Sequence, residues 1–404
     1  MASVTHASEA DARPQARAVG EKVGVGSRIG SIDALRGIVM LFMLLDHTRE
    51  TFYLWMPVSD PVNAATTSPA LFFTRLTSTF CAPTFVALTG LSAFLYGQTH
   101  TKSEVTKFLF TRGLFLMLLE VTIVAFAWPT QPLILPPQNF WLQVIWAIGL
   151  SMIALSVLIY LPRWGQVALG VAIICLHNFL DPIVLTPDSP WYPLWAGVHQ
   201  RDVIELSDLT MIKTTYPVLP WIGLILLGYA AGPLFGRHTT SAERMKRLLY
   251  IGAALLLGFI AIRLLNFYGD KPWFAGETPL RTVMSFLALT KYPPSLLFLM
   301  PTVGVGCLAL ALFEAHEDNP ILPHLAYFGG APMFFYIVHL YVLKLLYNIG
   351  YAIAGPNKGE LFGVDSVAFV WLMAAILIPL LYFPTRWFAR LKQRRKDIWW
   401  LKYL

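Results

Sequence analysis

The sequence predicts an all-α protein, a polytopic membrane helix bundle of about ten transmembrane helices with both termini in the cytoplasm. Three observations predict it. Of 404 residues, 56% are hydrophobic and 13% charged, where a soluble globular domain carries about 25% charged residues. Apolar runs of the roughly 20 residues that a spanning helix needs recur along the whole length. Lys and Arg also gather on alternate connections, as the positive-inside bias requires.

Residues 1–27 are rich in Ala, Gly and charge and lack an apolar h-region. They read as a disordered cytoplasmic arm and not as a cleavable signal peptide. Residues 28–404 read as one transmembrane domain. Its spans fall at roughly 32–55, 71–97, 108–128, 141–161, 165–181, 217–236, 247–267, 294–313, 331–352 and 366–388. Pro83 lies inside the second and should kink it. The connections 182–216 and 268–293 hold Pro, Trp and acidic residues and read as ordered loops. With the N-terminus inside, the cytoplasmic face receives Arg28, Lys102, Lys107, Arg163, Arg237, Arg244, Lys246, Arg247 and the tail "RWFARLKQRRKDIWWLKYL". The net charge of +7 thus sets orientation and is no nucleic-acid signal. Cys81, Cys175 and Cys307 all sit in apolar runs, as small buried hydrophobes do.

The first span, "SIDALRGIVMLFMLLDHTRETF", is the chemically informative one. A helix turns about 100° per residue, so Asp33, Arg36, Met40, Met43, His47 and Glu50 lie along one stripe. Such a stripe must look into the bundle, because ionisable groups facing lipid cost several kcal/mol. Arg36 lies near the cytoplasmic end, and His47 sits roughly 16 Å along the helix towards the outside. A histidine there can serve as general base or as an acyl-accepting nucleophile. Asp46, Glu50 or a carboxylate from another span is expected to partner it. Arg49 points off the stripe and reads as snorkelling outward.

Other ionisable groups in apolar runs are Glu120, deep in the third span, and Arg112, two turns before it but off its face. "TKYPPSLLFL" puts Lys291 and Tyr292 at a helix entrance on the outer face. "FGGAPMFFYIVHLYVLK" puts a Gly329–Gly330 turn at the cytoplasmic mouth of a span holding Tyr336 and His339 on one face. No metal-ligand spacing, Walker loop, GxSxG or paired catalytic carboxylates are read, and no metal is expected.

"RIGSIDALRGIVMLFMLLDHTRETF" resembles the opening of the heparan-α-glucosaminide N-acetyltransferase catalytic-domain family, in particular its compact bacterial branch. "TKYPPSLLFL", "FGGAPMFFYIVHLY" and "WFARLKQRRKDIWWLKYL" are similar to that branch too. The resemblance implies a multi-span acyltransferase that takes acetyl-CoA on the cytoplasmic side and acetylates an acceptor amine on the far side. It implies that His47 is catalytic and that Arg36 and Gly37 are the family's entrance Arg-Gly pair. The namesake has a luminal domain ahead of its spans and this chain a short arm. A cell-envelope sugar, or another small amine or alcohol, is therefore expected in place of heparan.

The combined expectation is an acetyl-CoA-dependent N- or O-acetyltransferase of the bacterial inner membrane. His47 and Asp46 are its catalytic residues. Arg36, Gly37, Arg112, Gly329 and Gly330 hold acetyl-CoA as co-substrate. Glu50, Glu120, Lys291, Tyr292, Tyr336 and His339 face the acceptor. Its partners are membrane lipid and a small-molecule or glycan acceptor, with no nucleic acid, and a homodimer is kept open. The alternative is a proton-coupled secondary transporter, which calls for inverted repeats and paired broken helices. Neither is found in the sequence.

Overall fold

The computed structural model describes residues 30–129, 139–208, 210–236, 238–395 and 397–403; the expected arm at 1–27 lies outside them. The chain is mostly helical, and helices cover every position at which a span is expected. Six helical stretches among the described residues are long and apolar enough to cross a membrane. They are Pro69–Gly97, Lys102–Ala127, Ser241–Leu265, Leu296–Ala315, Pro332–Ala354 and Val367–Arg394. Val144–Leu158 and Leu219–Ala230 are apolar but shorter. The protein is an integral membrane protein.

In chain order, α1 is Gly30–Phe52. It is followed by α2 (Pro69–Thr77), started by Pro69 at its first turn and by Ser68, whose hydroxyl accepts the Leu71 N–H. A 3-10 stretch, Ser78–Phe80, leads into α3 (Cys81–Gly97). The expected break near Pro83 falls there, because a proline ring cannot bond the carbonyl four residues back. Helix α4 (Lys102–Leu119) opens with a reciprocal Thr101–Glu104 capping box and runs on into a π-helical Glu120–Val124. Then come β1 (Asn139–Leu142), α5 (Val144–Leu158) and α6 (Arg163–Leu176).

The two long connections are more structured than expected. The first holds α7 (Tyr192–Val198), β2 (Val203–Ser207) and β3 (Thr210–Thr214). These strands build a three-stranded sheet in the order β1-β3-β2, parallel between β1 and β3 and antiparallel between β2 and β3. Helices α8 (Leu219–Ala230) and α9 (Ser241–Leu265) follow. The second connection holds α10 (Pro279–Leu287). The chain ends with α11 (Leu296–Ala315), α12 (Leu322–Gly330), α13 (Pro332–Ala354) and α14 (Val367–Arg394).

Helix α1 lies inside the bundle, against α3, α11, α12, α13 and α14. That placement answers the cost of its charges: nearly every residue from Ser31 to Phe52 is buried by protein. Its closest neighbour is α12, a nine-residue helix that sequence periodicity did not reveal. A Cβ on Gly37 would stand 1.9 Å from the Leu325 carbonyl oxygen, and one on Gly329 1.9 Å from that of Asp33. Only glycine lets the two backbones approach so closely. Gly329 and Gly330 therefore end a helix, and the expected turn is not there.

Candidate active site

Near the end of α1, His47 meets His339 of α13, with His47 Nδ1 2.7 Å from His339 Nε2. Their ring planes differ by 12°. His339 is fully buried, and its Nδ1 lies 2.7 Å from the Phe335 carbonyl oxygen. That carbonyl can only accept, so His339 Nδ1 carries a proton and its Nε2 a lone pair. The lone pair accepts from His47 Nδ1–H. Two neutral rings in this arrangement leave His47 Nε2 unprotonated, which is the form a base or nucleophile needs. Trp128 and Tyr336 stand edge-on to the His47 ring at centroid distances of 5.5 and 5.8 Å.

The partner of His47 is thus a histidine, and Asp46 is committed elsewhere. Arg49 Nε and Nη2 donate to Asp46 Oδ1 at 3.0 and 2.9 Å. Arg75 Nη1 donates to Asp46 Oδ2 at 2.6 Å and to Ser78 Oγ at 2.9 Å. Arg49 is only 5% exposed; it does not snorkel outward, because the Asp46 carboxylate one helical turn back neutralises it in place. Glu50, one turn beyond His47, accepts from Arg49 Nη2 at 3.1 Å.

The cluster continues beyond the end of α1. Arg75 Nη2 reaches Tyr292 Oη at 3.4 Å, and Tyr292 Oη donates to Tyr216 Oη at 3.3 Å. Lys291, at the entrance of the span that α11 forms, is only 5% exposed, with its Nζ over the rings of Tyr216 and Tyr292. Arg201 covers the Tyr292 ring at 4.8 Å. Asp60 fixes this corner by accepting the backbone N–H groups of Lys291 and Tyr292. Burial pushes the Asp60 carboxyl up from its ordinary value; the amide bonds and nearby guanidinium groups pull the other way.

Removing Arg75 leaves Asp46 Oδ2 without its donor while Arg49 still neutralises the carboxylate, so the loss is that of one buried charge-assisted bond, about 1.5–3 kcal/mol. Arg75→Ala is expected to lower the melting temperature sharply, and Arg75→Lys to recover only part of the loss. Melting curves in detergent check this; a wild-type curve for Arg75→Ala would show the pair to be energetically idle.

Towards the other end of α1, a cavity of about 300 Å³ opens between α1, α3, α4, α5, α12 and α13. Arg36, Arg112 and Lys392 are the cations in its wall. Arg36 is itself tied to Asp33 Oδ1 at 3.2 Å, to the Leu88 carbonyl and to Ser92 Oγ. Met40 and Met43 line the cavity along α1, and Gly329, Gly330 and Tyr336 line it opposite. Met43 is one turn before His47, so the cavity reaches the layer beneath the histidine pair. The Tyr336 hydroxyl is buried and has no hydrogen-bond partner among the described residues. A buried hydroxyl left unpaired costs about 1–3 kcal/mol.

The geometry sorts the sequence candidates. It joins His47 with His339 and Tyr336, and puts Arg36, Arg112, Gly329 and Gly330 on one cavity. Gly37 packs against α12, outside the cavity wall. Glu120 accepts the Trp146 N–H at 3.0 Å, satisfying a first-turn donor of α5. Arg75 and Lys392 were overlooked. Arg75 had a usable signal, since an arginine inside an apolar run is a site candidate by default. Lys392 was lost among the cations of the tail.

A buried histidine pair above a cavity edged by Arg36, Arg112 and Lys392 thus lies inside an integral membrane protein. The profile for heparan-alpha-glucosaminide N-acetyltransferase, catalytic, matches residues 28–269. That is more than half of the chain, and the chain belongs to this family, one of transmembrane acetyltransferases. His339 and Tyr336 lie beyond the matched stretch. No match was found among curated proteins.

Proposed function

We propose that the protein transfers an acetyl group from acetyl-CoA, entering at the face where α1 begins, to an amine or hydroxyl of a sugar-like acceptor at the face where α1 ends. The observation that carries this reading is the cavity running from Arg36 and Arg112 to the layer beneath His47. Arg36, Arg112 and Lys392 take the phosphates at its mouth, and the Met40–Met43 side of α1 follows the pantetheine arm inward. Tyr336 Oη donates to the thioester carbonyl and stabilises the oxygen as negative charge develops there. His47 Nε2 removes the proton of the attacking acceptor as the new bond to the acetyl carbon forms and the C–S bond breaks. The thiolate of CoA leaves and takes up a proton. A route through an acetyl-imidazole on the same nitrogen uses the same groups. The Arg75–Tyr292–Lys291–Arg201 cluster receives the acceptor. The Lys/Arg bias supports an orientation in which α1 begins in the cytoplasm, and the proposed membrane is a bacterial inner membrane.

Release of free CoA from acetyl-CoA, measured for detergent-purified protein over a panel of amino sugars, tests the reading. Turnover with at least one acceptor is expected, and none with any would overturn it. Within the same assay, Arg112→Gln should raise KM for acetyl-CoA about tenfold or more with kcat nearly unchanged, the loss of one charge-assisted bond made equally in ground and transition states.

A further inference from the structure

A second cluster of chemistry-bearing side chains lies away from the cavity, where α6 ends. His177 opens the 3-10 segment His177–Leu180 and Asp181 caps its end. His199 ends α7 and folds back over them. One nitrogen from each histidine and one Asp181 oxygen lie within 4.8 Å of one another. His177 is 2% exposed and His199 3%.

Ordinary hydrogen bonding does not account for this grouping. His199 Nε2 meets Asp181 Oδ1 at 3.1 Å, but His199 Nδ1 has no partner among the described residues. Neither ring nitrogen of His177 makes a hydrogen bond of ordinary geometry among the described residues; the Pro294 carbonyl is the acceptor its ring approaches. Two buried imidazoles with three unsatisfied nitrogens would cost several kcal/mol as mere packing residues. We propose that His177, Asp181 and His199 bind a divalent transition-metal ion, with Zn(II) the best match. Two imidazoles and a carboxylate are a zinc donor set, with a water completing the tetrahedron. The surrounding groups fit: the Pro294 carbonyl can orient the His177 ring, and Asn178 Nδ2 donates to Asp181 Oδ2 at 3.0 Å.

The position gives the ion a task. Asn178 Oδ1 also accepts the Leu296 N–H at the start of α11. Two residues past His199, Arg201 covers Tyr292. A metal at this point would pin the long connection after α6 to the entrance of α11 and hold the Arg201–Tyr292 corner in place. The inference stands on the cluster alone and does not rest on acetyl transfer.

The test uses full-length protein without a polyhistidine tag, purified in detergent, exposed to Zn(II) and then dialysed against metal-free buffer. Elemental analysis should find about one zinc per chain in wild type. Asp181→Asn and the double variant His177→Ala/His199→Ala should each lose it. Wild type should melt at a higher temperature with zinc than after chelation, and the variants should show no difference. Co(II) in place of zinc should give the visible absorption of a tetrahedral site in wild type alone. Wild-type protein that stays well below one zinc per chain would overturn the proposal whatever the variants do. A folded double variant that keeps full zinc would also overturn it.

Discussion

His47→Ala should reduce kcat/KM for acetyl transfer by about 10³-fold or more, in the range that removal of a positioned general base produces. Its oligomeric profile should stay close to wild type and its melting temperature should fall only moderately, because the change leaves one buried acceptor, His339 Nε2, unpaired but no buried charge. His339→Ala should fall less far, by about 10- to 100-fold, chiefly in kcat. It leaves His47 its reactive nitrogen but removes the acceptor that fixes the tautomer. His339→Asn keeps a carbonyl oxygen able to accept from Nδ1–H, and should recover part of that loss. The ordering distinguishes a residue that meets substrate from one that positions it. A fully active His47→Ala would sink the catalytic assignment, and a His339→Ala more crippled than His47→Ala would reverse the two roles.

Gly329→Ala should be among the most damaging single-methyl changes at the described residues. Its Cβ would fall 1.9 Å from the Asp33 carbonyl oxygen, 2.8 Å from the carbonyl carbon and 2.9 Å from Arg36 Cβ. Two of these atoms are helix backbone and cannot swing aside, so α12 must separate from α1. Overpacking of this kind costs about 1–3 kcal/mol and occasionally more, and backbone against backbone belongs at the upper end. Because Arg36 lines the cavity from the same turn of α1, KM for acetyl-CoA should rise as well. Gly197→Ala is the control: its nearest neighbour, Trp146 Cη2, would be 3.8 Å away, and the change should stay within about 0.5 kcal/mol of wild type. Thermal melts of the two variants side by side decide the matter. Equal melting temperatures would mean that α1 and α12 do not cross so closely.

Much of the architecture was legible in the sequence, because long apolar runs leave few alternatives to helix in a membrane. What escaped was short or non-local. Nine residues closing on Gly-Gly read as a turn, yet α12 is held as helix by its packing on α1. Four- and five-residue strands leave no usable periodicity, so the sheet of β1, β3 and β2 went unseen. For the candidate site, helical phase brought Arg36 and His47 onto one inward stripe, and the family resemblance singled out the same histidine. The carboxylate expected beside His47 proved to be the second histidine already noted in α13. No local rule could join positions 292 residues apart. Arg49 was read outward because a lone cation near a helix end snorkels; it is held inside by Asp46, a partner that only folding brings into place.

The burial of α1 also has a consequence for how the protein is made. On its own this helix is a poor candidate for the lipid, since each charge near a span's centre costs about 2.5–3.5 kcal/mol on insertion. The groups that make it tolerable arrive later: Arg75 follows Asp46 by 29 residues, and His339 follows His47 by 292. At synthesis rates of about 5–20 residues per second, the second interval lasts roughly 15–60 s. Throughout that time α1 is a helix the bilayer alone does not favour, and it is expected to stay shielded from lipid until its partners are made. A chain cut off after residue 269 contains everything the family profile covers, yet lacks both α12 and α13. Such a fragment is expected to be degraded at the membrane, because α1 never receives its seat.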